Sequence, residues 1–152
     1  MSESARPENL GSTTQFGAIG AEVEEVTYGE LSRSDEEAVE ALPEGSALLI
    51  VQRGPNMGAR FLLDAPRTTA GRHPSSDIFL DDVTVSRKHA EFLADGGGFI
   101  VRDVGSLNGT YVNRQRIESV ALKTGDEVQV GKYRLTYHSS PRRVHQAGDE
   151  AP

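Results

Sequence analysis

The chain contains no cysteine and no tryptophan in its 152 residues. The first absence excludes disulfides, zinc–thiolate centres and a cysteine nucleophile. Aromatic residues amount to only 6%. No apolar run approaches the roughly 20 residues of a membrane-spanning helix. The opening residues, MSESARPENLG, offer no apolar stretch for a signal peptide. The expected location is the cytoplasm, with no membrane partner. Apolar residues reach 36%, which predicts one core diluted by loose segments.

Positive charge is scarce as well. There are 16 basic residues against 23 acidic ones, a net charge of −7. The balance is uneven along the chain. Residues 1–44 hold 11 acids against Arg6 and Arg33, a net −9. Residues 45–138 carry a net +2, and residues 139–152 are neutral. Such a chain is a poor general binder of nucleic acid. The partition raises the question of whether an acidic tail and a mildly basic domain interact.

The first 44 residues lack sustained periodicity and are expected to be a disordered tail. One exception is Ser34-Asp35-Glu36-Glu37, a capping-box pattern ahead of Ala38, Val39 and Leu42. It predicts a helix of about two turns, marginal alone, before Pro43-Glu44-Gly45 breaks the chain. From residue 45 to 138 the texture is that of one domain. Strands are predicted at 47–51, 60–63, 68–71, 78–80, 90–93, 99–102, 110–112, 127–130 and 133–137. Gly96-Gly97-Gly98 separates two of them as a hairpin loop. Many short strands with glycine-rich turns predict an all-β sandwich. Residues 139–152 read as a polar, flexible C-terminal tail.

The loops carry the chemistry. Gly71-Arg72, Val85-Ser86-Arg87-Lys88-His89 and Gly105-Ser106-Leu107-Asn108-Gly109 lie between strands, where sandwiches cluster their binding loops. Arg72, Arg87 and Lys88 supply cations, Ser86 and Ser106 hydroxyls, and Asn108 an amide. Cations plus neutral donors suit a phosphate. The loops bring no carboxylate cluster for a metal. His73, His89, His138 and His145 are scattered, so neither a metal nor another cofactor is expected. Asp81-Asp82 reads as a polar loop rather than an acid/base pair.

Gly71-Arg72, then Ser86-x-x-His89, then Asn108-Gly109-Thr110 with Asn113, in this order and spacing, resemble the forkhead-associated (FHA) domains. The likeness covers residues 47–137. The longer runs Ser76–Arg87 and Asp103–Arg114 are similar to the small actinobacterial FHA regulators of the GarA/OdhI type. The resemblance implies a β-sandwich that binds phosphothreonine peptides. Arg72 would contact the phosphate or the peptide backbone beside it. Ser86 would donate its hydroxyl to a phosphate oxygen, with Ser106 also in the phosphopeptide site. Arg87 would set preference on the C-terminal side, and Asn108 would bond the peptide main chain. Leu107 stands where some members have a hydroxyl residue, so its backbone N–H would serve. His89, Gly71, Gly109 and Asn113 would be structural.

The resemblance also implies a non-enzymatic, monomeric inhibitor of the E1 component of 2-oxoglutarate dehydrogenase, glutamate dehydrogenase and glutamate synthase. Ser/Thr protein kinases would switch it off by phosphorylating a twin-threonine motif, which then folds into the chain's own FHA site. Here the motif is Ser12-Thr13-Thr14-Gln15-Phe16. It lacks the family's preceding acid and one spacer residue; Thr14 is favoured over Thr13 as the phosphosite. Two other functions fit the residues. One is a kinase-associated FHA adaptor without metabolic targets. The other is a hydrolase using Ser86 as nucleophile and His89 as base.

Overall fold

The computed structural model describes residues 31–142. Thr13, Thr14 and most of the acidic tail therefore lie outside the described residues. The chain divides into two units, Met1–Glu37 and Ala38–Pro152. A helix, α1 (Arg33–Glu40), spans the division. Its cap differs from the sequence expectation. Ser32, not Ser34, is the N-cap: its hydroxyl accepts the Asp35 N–H at 3.0 Å, and its carbonyl accepts the Glu36 N–H. The pattern of a serine followed three residues later by an acid fits both serines, and the bonds to Ser32 decide between them; Asp35 and Glu36 lie in the first turn, where acids suit the helix dipole.

The second unit is a two-sheet β-sandwich of eleven strands. These are β1 (Ala47–Arg53), β2 (Arg60–Leu63), β3 (Arg67–Gly71), β4 (Ile78–Phe79), β5 (Ala90–Asp95) and β6 (Gly98–Asp103). They continue as β7 (Thr110–Val112), β8 (Gln115–Ile117), β9 (Ser119–Ala121), β10 (Glu127–Val130) and β11 (Tyr133–Ser139). One sheet has the order β2-β1-β11-β10-β7-β8, the other β4-β3-β5-β6-β9. All pairings are antiparallel except β3 with β4.

The alternation seen in the sequence is the burial pattern of the strands. Phe99 and Val101 of β6 are buried while Arg102 is exposed; Val128 and Val130 of β10 are buried while Gln129 between them is half-exposed. Leu49, Val51, Phe92, Val101, Val128 and Leu135 meet between the sheets. Each such side chain contributes about 1.5–3 kcal/mol of transfer free energy.

Two strands are absent from the sequence expectation. β8 and β9 are three residues each, and most of their positions are exposed. Each is an edge strand, so neither has an alternating apolar face to announce it. Their positions are set by turns and pairing. Asn113 and Arg114 both have positive φ, 51° and 73°, as the two central residues of a type I′ hairpin turn require. The Gly96-Gly97 turn between β5 and β6 meets the same requirement with glycine, at φ 58° and 88°.

Asn113 holds its turn in place with its side chain. Its Nδ2 donates to Asp126 Oδ1 at 3.0 Å, and its Oδ1 accepts the Glu127 N–H at 3.0 Å. The residue therefore braces the C-terminal end of β7 against the start of β10, away from the loops at the other end of β7. Its bonds therefore lie at the end of β7 opposite the Arg72, Ser86 and Asn108 loops. Replacing Asn113 by Ala removes both bonds and leaves a β-carbon residue at φ 51°. The expected cost is about 1–3 kcal/mol in urea unfolding, with phosphopeptide affinity unchanged in titration of the folded variant.

Candidate phosphopeptide-binding site

Strand directions bring four loops to one end of the sandwich. β3 and β4 run parallel and both end there; β5 begins there, paired antiparallel to β3. β6 ends there, opposite the start of β5, where Asp103 pairs with Ala90. β7 begins there, and β10 ends beside it, where Val130 pairs with Thr110. The loops β3–β4, β4–β5, β6–β7 and β10–β11 therefore meet.

Gly71 is required by close approach. A Cβ built on it would lie 2.1 Å from the Arg87 carbonyl oxygen. That contact lays the β4–β5 loop against the end of β3, where Arg72 N–H donates to Ser86 O at 2.9 Å and His73 N–H to Arg87 O at 3.2 Å. The Arg72 side chain is aimed by its own Nε, which donates to Val85 O at 3.0 Å. Its two terminal nitrogens have no partner among the described residues and are available to an anion.

His89 is fully buried. Its Nδ1 accepts the Ser86 N–H at 3.0 Å, so the ring hydrogen sits on Nε2 and is donated to Gly109 O at 2.9 Å. One imidazole thus ties the β4–β5 loop to the β6–β7 loop. Burial pushes its pKa below 6.5, against the opposing effects of the Gly109 bond and the Asp103 charge. Gly109 holds φ 89°, a left-handed conformation suited to glycine.

Ser86 Oγ accepts the Leu107 N–H at 2.9 Å. Its own hydrogen has no acceptor among the described residues and is free to be donated outward. The Leu107 N–H is consequently used inside the site, not offered to a ligand as the sequence suggested. The Leu107 side chain stands in solvent at 84% exposure.

Ser106 is also reassigned. Its hydroxyl donates to Asp103 Oδ1 at 2.5 Å and accepts the Gly109 N–H at 2.9 Å. With both capacities spent and the residue buried, Ser106 is a strut of the loop and not a ligand donor. Asp103 organises that loop. Its carboxylate also accepts the Gly105 and Ser106 N–H groups and the Thr110 hydroxyl. Burial raises its pKa, but these hydrogen bonds outweigh it and hold the carboxyl below 3.8.

Thr84 does comparable work on the other side. Its carbonyl accepts Asn108 Nδ2 at 3.0 Å, and its hydroxyl accepts the Lys132 N–H at 2.9 Å while donating to Asp82. Asn108 is exposed, with Oδ1 unengaged among the described residues. The Thr84 hydroxyl and N–H, with Lys132 Nζ at 3.4 Å, keep the Asp82 carboxylate below its usual range. Thr84 and Asp103 were not singled out from the sequence, and Asp82 was read only as part of a polar loop. The signal was present in Asp-x-Gly-Ser and Asp-x-Thr, patterns in which a carboxylate caps the backbone just after it.

Arg72, Ser86 and Asn108 thus present outward capacity together, with Arg87 and Lys88 exposed beside them. Ser86 and His89 are not a nucleophile and base. His89 Nδ1 faces the Ser86 backbone N–H, and its other nitrogen faces a carbonyl. Among the described residues no group of three or more His, Asp or Glu is placed to hold a metal. No described helix is long and apolar enough to cross a membrane.

Comparison with known proteins agrees with this geometry. The FHA domain model matches residues 68–131. The chain is 68% identical over 104 residues to the glycogen accumulation regulator GarA of Mycolicibacterium smegmatis, covering 68% of this chain and 66% of the relative. It is 70% identical over 100 residues to the oxoglutarate dehydrogenase inhibitor of Corynebacterium efficiens, covering 66% and 70%. The matched segment therefore spans about two thirds of each relative's length. Among solved structures, Mycobacterium tuberculosis EmbR in complex with a low-affinity phosphopeptide is 32% identical with a TM-score of 0.58, covering 62% of this chain and 24% of that one. A structure from an analysis of phosphothreonine-dependent FHA domain interactions is 28% identical with a TM-score of 0.59, covering 64% and 99%.

Acid should loosen this site. The His89 contribution to stability is complete above about pH 6.5 and is lost as pH falls below that value through the lower pKa of the folded state. Protonated Nδ1 would also oppose the Ser86 N–H, donor against donor. Urea unfolding at pH 7.5 and pH 5.5 should show the loss. His89→Ala, which leaves the Ser86 N–H and the Gly109 carbonyl unpaired, should cost about 2–5 kcal/mol at pH 7.5 and shrink the pH dependence.

Proposed function

The chain belongs to the FHA domain family, with the oxoglutarate dehydrogenase inhibitors among its relatives, and from that premise we propose that it reads phosphothreonine and inhibits a 2-oxoglutarate dehydrogenase. It is a non-enzymatic signalling protein. The observation that carries the reading is the outward, prearranged set of Arg72, Ser86 and Asn108. A phosphothreonine brings close to two charges and three acceptor oxygens. Arg72 supplies charge and a fork of donors, and Ser86 supplies a neutral donor. Arg87 and Lys88 add field from the rim. Asn108 Oδ1 and the remaining Nδ2 hydrogen hold the peptide backbone.

The partner is the E1 component of 2-oxoglutarate dehydrogenase, with glutamate dehydrogenase and glutamate synthase as further targets in the cytoplasm. A Ser/Thr kinase phosphorylates Thr14, or Thr13 in its place. The modified tail then occupies the chain's own site and displaces the target. Tethering supports this order of events, since a linked ligand acts at an effective concentration up to the mM range and needs only modest affinity to compete.

Titration with a phosphothreonine peptide should show binding that Ser86→Ala and Arg72→Ala each weaken about 10- to 100-fold, since a hydrogen bond to a charged group is worth roughly 1.5–3 kcal/mol. An unphosphorylated peptide should not bind. Absence of phosphopeptide binding by the unaltered chain overturns the reading. After kinase treatment, amide resonances of Arg72, Ser86 and Asn108 should shift, and Thr14→Ala should abolish the shift. Shifts confined to the tail would overturn the self-occupancy.

A further inference from the structure

The outer face of the six-stranded sheet carries a row of residues fixed by strand register. Arg116 of β8 lies opposite Tyr111 of β7, Tyr111 opposite Gln129 of β10, and Gln129 opposite Arg134 of β11. Directly opposed residues share a face, and their buried chain neighbours Val112, Val128, Val130 and Leu135 point into the core. The row is at least partly open to solvent at every position. Among the described residues neither Arg116 nor Arg134 has a carboxylate partner, whereas Arg114 nearby is paired with Glu127. Two unneutralised guanidiniums thus stand three strand spacings apart, roughly 14 Å, with an aromatic ring and an amide between them.

The row adjoins the loops already described. A Cβ on Gly109 would lie 2.8 Å from Arg116 Nε, so the arginine stem rests on the residue next to Asn108. A recess of about 290 Å³ lined by Thr84, Asn108, Tyr111, Gln129 and Lys132 joins the two surfaces. Arginine and tyrosine are the residues that anchor protein interfaces, while a lone solvated charge contributes little.

We propose that this sheet face is a second docking surface for a folded partner, one that places two carboxylate side chains about 14 Å apart across Arg116 and Arg134 while its phosphorylated or acidic loop occupies the Arg72–Ser86–Asn108 site. On an α-helix, acids that share a face near that spacing are eleven residues (three turns) apart, about 16.5 Å at 1.5 Å per residue, and their flexible side chains take up the difference. The charge argument favours a protein over nucleic acid, because the chain as a whole carries −7. The proposal takes one of its probes from the reading of the target as the E1 component, but its argument comes from the register and charge of the sheet.

The test uses the full chain and the R116E/R134E double variant, with thermal unfolding to confirm the fold. In NMR titration, a 20-residue polyglutamate should shift the Tyr111, Arg116, Gln129 and Arg134 amides of the unaltered chain, and the double variant should lose those shifts. Against purified E1 component, the double variant should bind at least 10-fold more weakly at 0.15 M salt, with affinity for a short phosphothreonine peptide unchanged. Polyglutamate shifts elsewhere only, or full E1 affinity in a folded double variant, would overturn the proposal. If Ser86→Ala leaves E1 binding intact while R116E/R134E removes it, the sheet surface stands and the role of the loops in target binding falls. Two other occupants would also overturn it. The chain's own tail is indicated if changing Glu22, Glu24 and Glu25 to Gln shifts the Tyr111 and Gln129 amides of the free chain. A second copy is indicated if sedimentation shows a dimer that R116E/R134E dissociates.

Discussion

The site depends on one buried, uncharged imidazole. His89 receives the Ser86 N–H on one nitrogen and gives its only ring hydrogen to the Gly109 carbonyl on the other. Its own backbone is paired at both ends, N–H to Ala70 O and C=O to Val104 N–H. The β4–β5 and β6–β7 loops, which share no strand pairing with each other, are thereby held at fixed separation. From that follow the Leu107-to-Ser86 bond and the bridge from Asn108 to Thr84. None of these bonds depends on a ligand. Ordering of the donors is completed when the chain folds, and a peptide need not bear that cost on arrival.

Two carboxylates beside an anion site would oppose its ligand if their charges were left bare. Asp103 spends its charge on four donors, from Gly105, Ser106 and Thr110. Asp82 spends its charge on Thr84 and Lys132. Both carboxyls are held below their usual pKa for this reason. Each takes up inward-facing donors, while Arg72, Arg87 and Lys88 remain without carboxylate partners among the described residues. The same accounting separates Ser86 from Ser106. Both are hydroxyls in site loops and each accepts one backbone N–H, but only Ser86 has its hydrogen unclaimed among the described residues.

That distinction also marks how far the sequence can be read. Alternation in β6 and β10, and the glycines of the Gly96-Gly97 turn, announce the sandwich because burial has a period of two. The loop residues Arg72, Ser86, His89 and Asn108 are legible as an inventory of phosphate-binding groups and by family likeness. Residue type names a donor, however, and not the direction of its hydrogen. Ser106 and the Leu107 N–H were therefore placed at the ligand although their bonds run inward. Edge strands β8 and β9 were illegible for a different reason: exposed positions have no apolar face to select, and the pairing of β8 follows from the Asn113-Arg114 turn while β9 is placed by its pairing with β6.

Charge needs the same local treatment. The net −7 of the chain arises from its first 44 residues, and the sandwich is mildly basic. At physiological salt a charge is felt over about 8 Å, so a phosphate in the loops responds to Arg72, Arg87 and Lys88 before it responds to the distant acids. A diffuse polyanion has no comparable advantage, because it must approach the whole acidic chain and gains only scattered cations. What the loops offer a phosphate is therefore short-range geometry: one aimed guanidinium, one outward hydroxyl hydrogen and one exposed amide.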